Sequence, residues 1–384
     1  MYIIGQEEIN ALARVIESRK LFKINDGARE VENFEKEIKA FMKTDYALLM
    51  TSGFAAIQSA LIGLGIGPGD EVIVPGYTYI ATAIAVTAVG AIPVICEVDE
   101  TLTIDAEDME KKVSKATKAV IPVHIQGFPS DMDKICAVAK KHGFAVVEDA
   151  CQSVGGEYKG RKLGAIGDAG TYSFNYFKVI TSGEGGALFT NNRQLYERAL
   201  IFHDSSAIAF FGSQLDGVNE PQFCGTEYRV SEFHGAILRE QLKRLDPIIA
   251  GLRSSRRRLI EAIAHKMEIA PSHDTCGDCG TTVALRFGSE KEARAFSARF
   301  GGGTLPIDTG KHVYTNWTPV MEKRGALHPL MDPFKMEANK NLNHNYTRDM
   351  CPKTLDLLSR TVYIGTAPDW SDETVENLAK RIIG

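Results

Sequence analysis

A chain of 384 residues with 44 Lys and Arg against 49 Asp and Glu carries a formal charge of -5, which excludes the basic excess of a nucleic-acid-binding surface. Hydrophobic residues make up 44% and charged residues 24%, the balance of an ordinary globular protein with chain enough for about two or three domains. The opening MYIIGQEEIN lacks a basic n-region, and the longest weakly polar run, 80 to 96, is short and broken by Gly90 and Pro93, so neither a secretory signal nor a membrane span is expected.

In chain order, residues 55 to 65 read as a helix, EVIVPG (71 to 76) as a strand, 79 to 90 as a helix and IPVICEVD (92 to 99) as a strand. A helix from Asp105, the strand AVIPVHI (119 to 125), the helix 132 to 143 and the strand FAVVED (144 to 149) continue the alternation. Such a run of βα units predicts an α/β fold with a mostly parallel sheet flanked by helices. Two short strands, GTYSF (170 to 174) and GALFT (186 to 190), and a helix over 232 to 246 follow. Beyond it come longer helices with separated strands, which predicts a large domain over 1 to 250 and a smaller α+β domain over 251 to 384.

Seven scattered cysteines fit reduced thiols in the cytoplasm. Cys276 and Cys279 form one CxxC near His273, but zinc needs a second pair, and a turn before the strand TTVALRF (281 to 287) is expected instead of a metal. Arg253, Arg256, Arg257 and Arg258 are expected on one solvated helix face.

Ligands of open α/β sheets sit at the carboxyl ends of the strands, where Asp149, Ser173 and Lys178 fall and where TSGFAA (51 to 56) turns into a helix. GLGIGPG (63 to 69) has neither the spacing nor the place of a dinucleotide fingerprint, and GGEYKGRK (155 to 162) misses the phosphate-loop lysine. A lysine amine in a low-dielectric pocket can instead bond an aldehyde, the chemistry of pyridoxal 5'-phosphate (PLP). Asp149 then serves the pyridine nitrogen, the Gly53 and Phe54 amides with Ser173 cradle the phosphate, Gln152 meets the phenolic oxygen and Tyr79 stacks on the ring.

The segments FEKEIKAFMKTDYALLMTSGFAA, GDEVIVPGYTYIAT, VVEDACQSVGGEYKGRKLGAIGD, SFNYFKVITSGEGG and GTEYRVSEFHGAILREQLKRLD resemble the DegT/StrS-like sugar aminotransferases, PLP enzymes of fold type I. That resemblance implies Lys178 as the Schiff-base lysine, Asp149 as its pyridinium partner, the cofactor contacts just named, a homodimer with sites at the interface, and glutamate or glutamine as amino donor to a sugar. Two positions depart from the family. Phe54 stands where a threonine is common, and Glu227-Tyr228-Arg229 stands where the family has an asparagine that reaches the partner's cofactor phosphate. A sugar dehydratase of this fold would carry histidine at Lys178, a dehydrogenase would need the missing glycine fingerprint, and an intact lysine, aspartate and serine set argues against a non-catalytic regulator.

For the acceptor, the segments FKIND, PVHIQGFPSDMD, DACQSVGG, NWTPVMEKRGALHP and MCPKTLDLLSRTVYI together resemble the branch that aminates an 8-oxo derivative of 3-deoxy-manno-octulosonate more than the nucleotide-sugar branch. An acidic acceptor needs a cationic anchor, for which Arg229, Lys311, His312 and Arg324 are the candidates; a nucleotide diphosphate would use the same charge.

Overall fold

The computed structural model describes residues 3–23, 29–205 and 213–384, so of the FKIND segment Ile24, Asn25 and Asp26 lie outside the described residues. The chain begins with α1 (Gln6–Ser18), α2 (Glu30–Met42) and β1 (Tyr46–Met50), and then alternates α3 (Gly53–Gly63), β2 (Glu71–Pro75), α4 (Ala81–Ala88), β3 (Ile92–Cys96), α5 (Ala106–Lys111), β4 (Thr117–Val120), α6 (Met132–His142) and β5 (Ala145–Asp149). A small hairpin, β6 (Glu157–Tyr158) and β7 (Arg161–Lys162), precedes β8 (Ala169–Ser173), β9 (Gly186–Thr190), α7 (Arg193–His203) and α8 (Glu232–Lys243).

Seven strands form one sheet in the order β1-β9-β8-β5-β4-β2-β3, in which β9 runs antiparallel to both of its neighbours and every other pairing is parallel. Strands such as β2, β3 and β8 are buried along their whole length, so they read as apolar runs and not as alternating patterns. One face is covered by α2 through Phe34, Ile38 and Met42 and by α6 through Ile135 and Ala139. The other is covered by α3, α4 and α7 through Ala55, Ala60, Leu61, Val86, Leu195 and Ala199. This is the expected α/β architecture.

The division at residue 250 falls inside a helix. α9 (Leu245–Ile263) gives Leu245, Ile248, Ile249 and Leu252 to the large core and Leu259 and Ile263 to a second one. That second core fills the space between the antiparallel strands β10 (Glu268–Ile269), β11 (Thr282–Arg286) and β12 (Thr361–Gly365) and the helices α10 (Glu290–Phe300) and, after the short α11 (Thr318–Met321) and α12 (Pro352–Ser359), α13 (Asp372–Ile383). Between α10 and α12 the chain makes short 3-10 turns and returns to the seven-stranded sheet, burying Tyr314, Trp317, Val320, Phe334 and Cys351 in the core with α3, α4 and α7.

The arginine cluster is not one solvated face. Arg257 is 71% exposed, but Arg256 is buried against Asp278 at 3.3 Å, Arg253 donates to the carbonyls of Gly277 and Asp278, and Arg258 donates to Trp370 O. Those acceptors come from the 274–280 loop and the C-terminus, distant in sequence, so helical periodicity alone could not reveal them. In the same loop Cys276 is exposed while Cys279 is buried, and His273 is taken up by Asp99 at 2.9 Å. Among the described residues no helix is long and apolar enough to cross a membrane.

Candidate active site

The carboxyl ends of β5 and β8 and the turn from β1 into α3 meet at one cavity of about 590 Å³. Gly53, Phe54, Tyr79, Asp149, Gln152, Ser173 and Lys178, which come from four separate stretches of sequence, all line it. His312 joins them from the C-terminal half of the chain.

Asp149 ends β5 and is 5% exposed. Its Oδ2 accepts the Thr82 hydroxyl at 2.7 Å and its Oδ1 accepts the Cys151 N–H at 3.1 Å. Thr82 is braced in turn by the Thr78 hydroxyl at 2.8 Å. Two donors and no ordinary salt bridge leave a carboxylate free to pair with a cation in the cavity. Beside it Cys151 stays a neutral thiol, pushed well up by burial and by Asp149.

The start of α3 makes an anion cradle. Ser52 caps it, its Oγ accepting the Ala55 N–H at 3.1 Å and its carbonyl the Ala56 N–H, which leaves the Gly53 and Phe54 N–H groups without a partner in their own helix. A Cβ at Gly53 would lie 2.6 Å from Cys151 Sγ and 3.0 Å from Ser173 Cβ, so glycine is what lets this turn approach β8. Ser173, the last residue of β8, is 6% exposed.

Lys178 is half-buried and its ammonium makes no hydrogen bond or ion pair among the described residues. Its charge is felt by His312, whose imidazole is pushed below the usual histidine range by burial first and by Lys178 second, against the opposing Thr309 carbonyl. The His312 Nδ1–H donates to that carbonyl at 3.2 Å, and the ring packs at 5.3 Å from the ring of Tyr79. His312 therefore reaches the cavity as a neutral donor-acceptor and not as the expected cationic anchor.

Three other candidates do not line the cavity. Arg229 is paired with Asp204 and with Glu227 at 2.8 Å and lies over the Phe22 ring; Arg324 is exposed and paired with Glu322; Lys311 is exposed, and its carbonyl accepts the Ile80 and Trp317 N–H groups. Glu227 thus turns toward Arg229, which neutralises it. Sequence reasoning missed Thr82, Cys151, Gln126, Glu184 and Thr281, all of which line the cavity. Thr82 and Cys151 each lie within three residues of a chosen site residue, a proximity that could have found them, whereas Thr281 enters from β11's approach and left no local signal.

The DegT/DnrJ/EryC1/StrS aminotransferase family model matches residues 2–292. The chain belongs to this family. It is 41% identical to the Streptomyces venezuelae dTDP-3-amino-3,4,6-trideoxy-alpha-D-glucose transaminase over 62% of its own length, a match that spans 60% of that relative. It is 34% identical to the L-glutamine:2-deoxy-scyllo-inosose aminotransferase of Streptoalloteichus tenebrarius over 83% of this chain and 80% of that one. Among solved structures, the aminotransferase from Psychrobacter cryohalolentis superposes with a TM-score of 0.81 at 25% identity, covering 100% of this chain and 97% of that one. The chain is accordingly a PLP-dependent aminotransferase by family. Its donor set fits that cofactor: an ammonium without a partner among the described residues, a buried carboxylate with a free side, and a helix N-terminus beside a serine hydroxyl.

Proposed function

We propose that this enzyme moves an amino group from glutamate to a carbonyl carbon of a sugar, with PLP held covalently by Lys178. The observation that carries the reading is the meeting of the unpartnered Lys178 ammonium and the Asp149 carboxylate in one cavity. When bound, the cofactor supplies an electron sink that makes the donor's α-proton removable.

The protein residues do the rest. Asp149, fixed by Thr82 and the Cys151 N–H, keeps a proton on the cofactor's ring nitrogen. The N-terminal amides of α3 at Gly53 and Phe54, with the Ser173 hydroxyl, bind the phosphate at the positive end of the helix dipole. Gln152 donates to the phenolic oxygen, and Tyr79 covers one ring face and excludes water. Lys178 would hold the cofactor, and its freed amine would take the proton from the donor's α-carbon and, in the second half of the reaction, deliver one to the acceptor carbon that receives the amino group.

For the acceptor we favour an 8-oxo derivative of 3-deoxy-manno-octulosonate, on the strength of PVHIQGFPSDMD, NWTPVMEKRGALHP and MCPKTLDLLSRTVYI. A keto nucleotide sugar is the second reading, favoured by the dTDP-sugar transaminase among the relatives. Lys178 is the one cationic side chain among the described lining residues, so either acceptor's anionic group needs an anchor from a second subunit. We place the enzyme in the cytoplasm, in keeping with its seven free thiols. Load the purified enzyme with glutamate until its yellow colour bleaches, remove the glutamate, and offer the oxidised octulosonate and a panel of keto nucleotide sugars separately. Return of colour with the octulosonate alone is expected. Return with nucleotide sugars alone overturns the acceptor, and no bleaching by glutamate overturns the donor.

A further inference from the structure

The loop after β4 is tied to the cavity floor. The Asp149 N–H donates to Pro122 O at 2.9 Å, the His124 N–H donates to Asp149 O at 3.0 Å, and the Ser153 hydroxyl donates to His124 O. At its apex Gln126 holds a left-handed backbone, φ 53 and ψ 23, a conformation costly for any residue with a Cβ. In that conformation its N–H donates to Gln152 Oε1 at 3.3 Å.

The other side of the loop is held by the second domain. The Thr281 hydroxyl donates to Gln126 O at 2.6 Å and the Cys279 N–H donates to Gly127 O at 3.1 Å. Gly127 has φ 91, and a Cβ there would lie 2.7 Å from Thr281 Oγ1 and 2.9 Å from Cys279 Cβ, so the two chains touch as closely as backbone allows. Thr281 is buried and itself reaches the cavity wall.

A primary amide has one oxygen and one NH2, and when the oxygen is occupied as an acceptor the NH2 is the end left to offer. We infer that Thr281 is a positioning residue: its hydroxyl locks the Gln126 peptide in the left-handed turn whose N–H holds the Gln152 amide with its nitrogen toward the cavity. A residue just ahead of β11 thereby sets a donor beside the end of β5. Nothing in the motif around Gln152 contains this information, since Thr281 lies 129 positions away in sequence. This inference rests on the proposed contact between Gln152 and the cofactor's phenolic oxygen, and its test separates the two.

Titrate the visible absorption band of the holoenzyme with pH for the wild type and for Gln152→Ala, Thr281→Val, Thr281→Ala and Thr281→Ser, and record the melting temperature of each. A donor to the phenolic oxygen weakens that oxygen's hold on the neighbouring proton, so losing it raises the midpoint. Gln152→Ala is expected to raise the midpoint by about half a pH unit or more. Thr281→Val and Thr281→Ala are expected to raise it in the same direction, Thr281→Ser to restore it, and the Gln152→Ala/Thr281→Val double variant to go no further than Gln152→Ala. A midpoint moved by Gln152→Ala but untouched by both hydroxyl-removing variants, even with a lowered melting temperature, overturns the inference and makes Thr281 merely structural. An unmoved midpoint in Gln152→Ala overturns the Gln152 reading, and this inference with it.

Discussion

Asp149 sits where two hydrogen bonds fix its carboxylate without neutralising it, and that sets what an amide in its place would do. Asp149→Asn preserves the acceptor for one donor and the size of the side chain, but it has no charge to hold a proton on a ring nitrogen. The expected outcome is a folded protein that still takes up the cofactor and whose kcat falls by about two orders of magnitude or more, with a smaller change in the glutamate KM. Steady-state kinetics on variant and wild type check this; a variant with wild-type turnover would remove the electron-sink role. At this scale the sequence was legible where a residue ends a strand in an open α/β sheet, as Asp149 and Ser173 do, or follows such an end closely, as Lys178 does. It was not legible for charge state. The electrostatic character of His312 and Arg229 depends on burial and on Asp204, Glu227 and Lys178, partners that become neighbours only in three dimensions.

Among the elements, α3 is the one whose start the chemistry depends on. Gly53→Ala forces a Cβ into Cys151 Sγ and Ser173 Cβ, so the helix start must withdraw from β8. A loss of about 1–3 kcal/mol and weakened retention of the cofactor through dialysis are expected, with part of the stability regained when Cys151→Ala is added. Thermal melts and cofactor retention measure both. A second element prediction concerns the pairing of α2 with α8. The backbone at the start of α2 has no side-chain cap of its own, and Glu232, from the first turn of α8, accepts the Glu30 N–H and the Val31 N–H at 3.3 Å. Burial and the Glu30 charge push its carboxyl up to about 7, against those two hydrogen bonds and Lys23. Because this raised group binds a proton in the folded chain that it has released in the unfolded one, its contribution to stability is full below about pH 4.5 and lost as pH rises through about 7. Glu232→Gln keeps an acceptor for the α2 amides and does not ionise, so its stability should lose this slope between pH 5 and 7, by on the order of 2 kcal/mol relative to wild type. Denaturant melts across that range check it, and parallel profiles for the two proteins would contradict it. The βα alternation made α3 and most of the sheet readable from apolar runs. The capping of one helix by another was not readable, since Glu232 and Glu30 are 202 positions apart.

At the scale of the whole molecule two cores share α9, and the 3-10 stretch between α10 and α12 returns to the seven-stranded sheet through Tyr314 and Trp317. That return was invisible in the sequence because short turns carry no hydrophobic period to read. It also delivers His312 to the cavity, so the site draws on both halves of the chain. The surface carries large apolar side chains at Ile9 and Ile16 of α1 and at Leu327, Leu330 and Met331, exposed by 58, 60, 103, 82 and 67% respectively. Exposed groups of this kind, with a cavity that shows one cation among its described lining residues, lead to the expectation of a homodimer whose partner completes the site. Light scattering at assay concentration should give twice the mass of the 42.1 kDa chain, and an active monomer would contradict this.

The central claim is that Lys178 carries the cofactor and gives it up to the amino donor. Its most direct test is borohydride reduction of the intact holoenzyme, before and after glutamate is added, followed by peptide mapping of the reduced adduct. Before glutamate the adduct should map to Lys178, and after glutamate that label should be lost as the lysine is freed. An adduct on any other lysine, or a Lys178 label that glutamate leaves undiminished, would contradict the account.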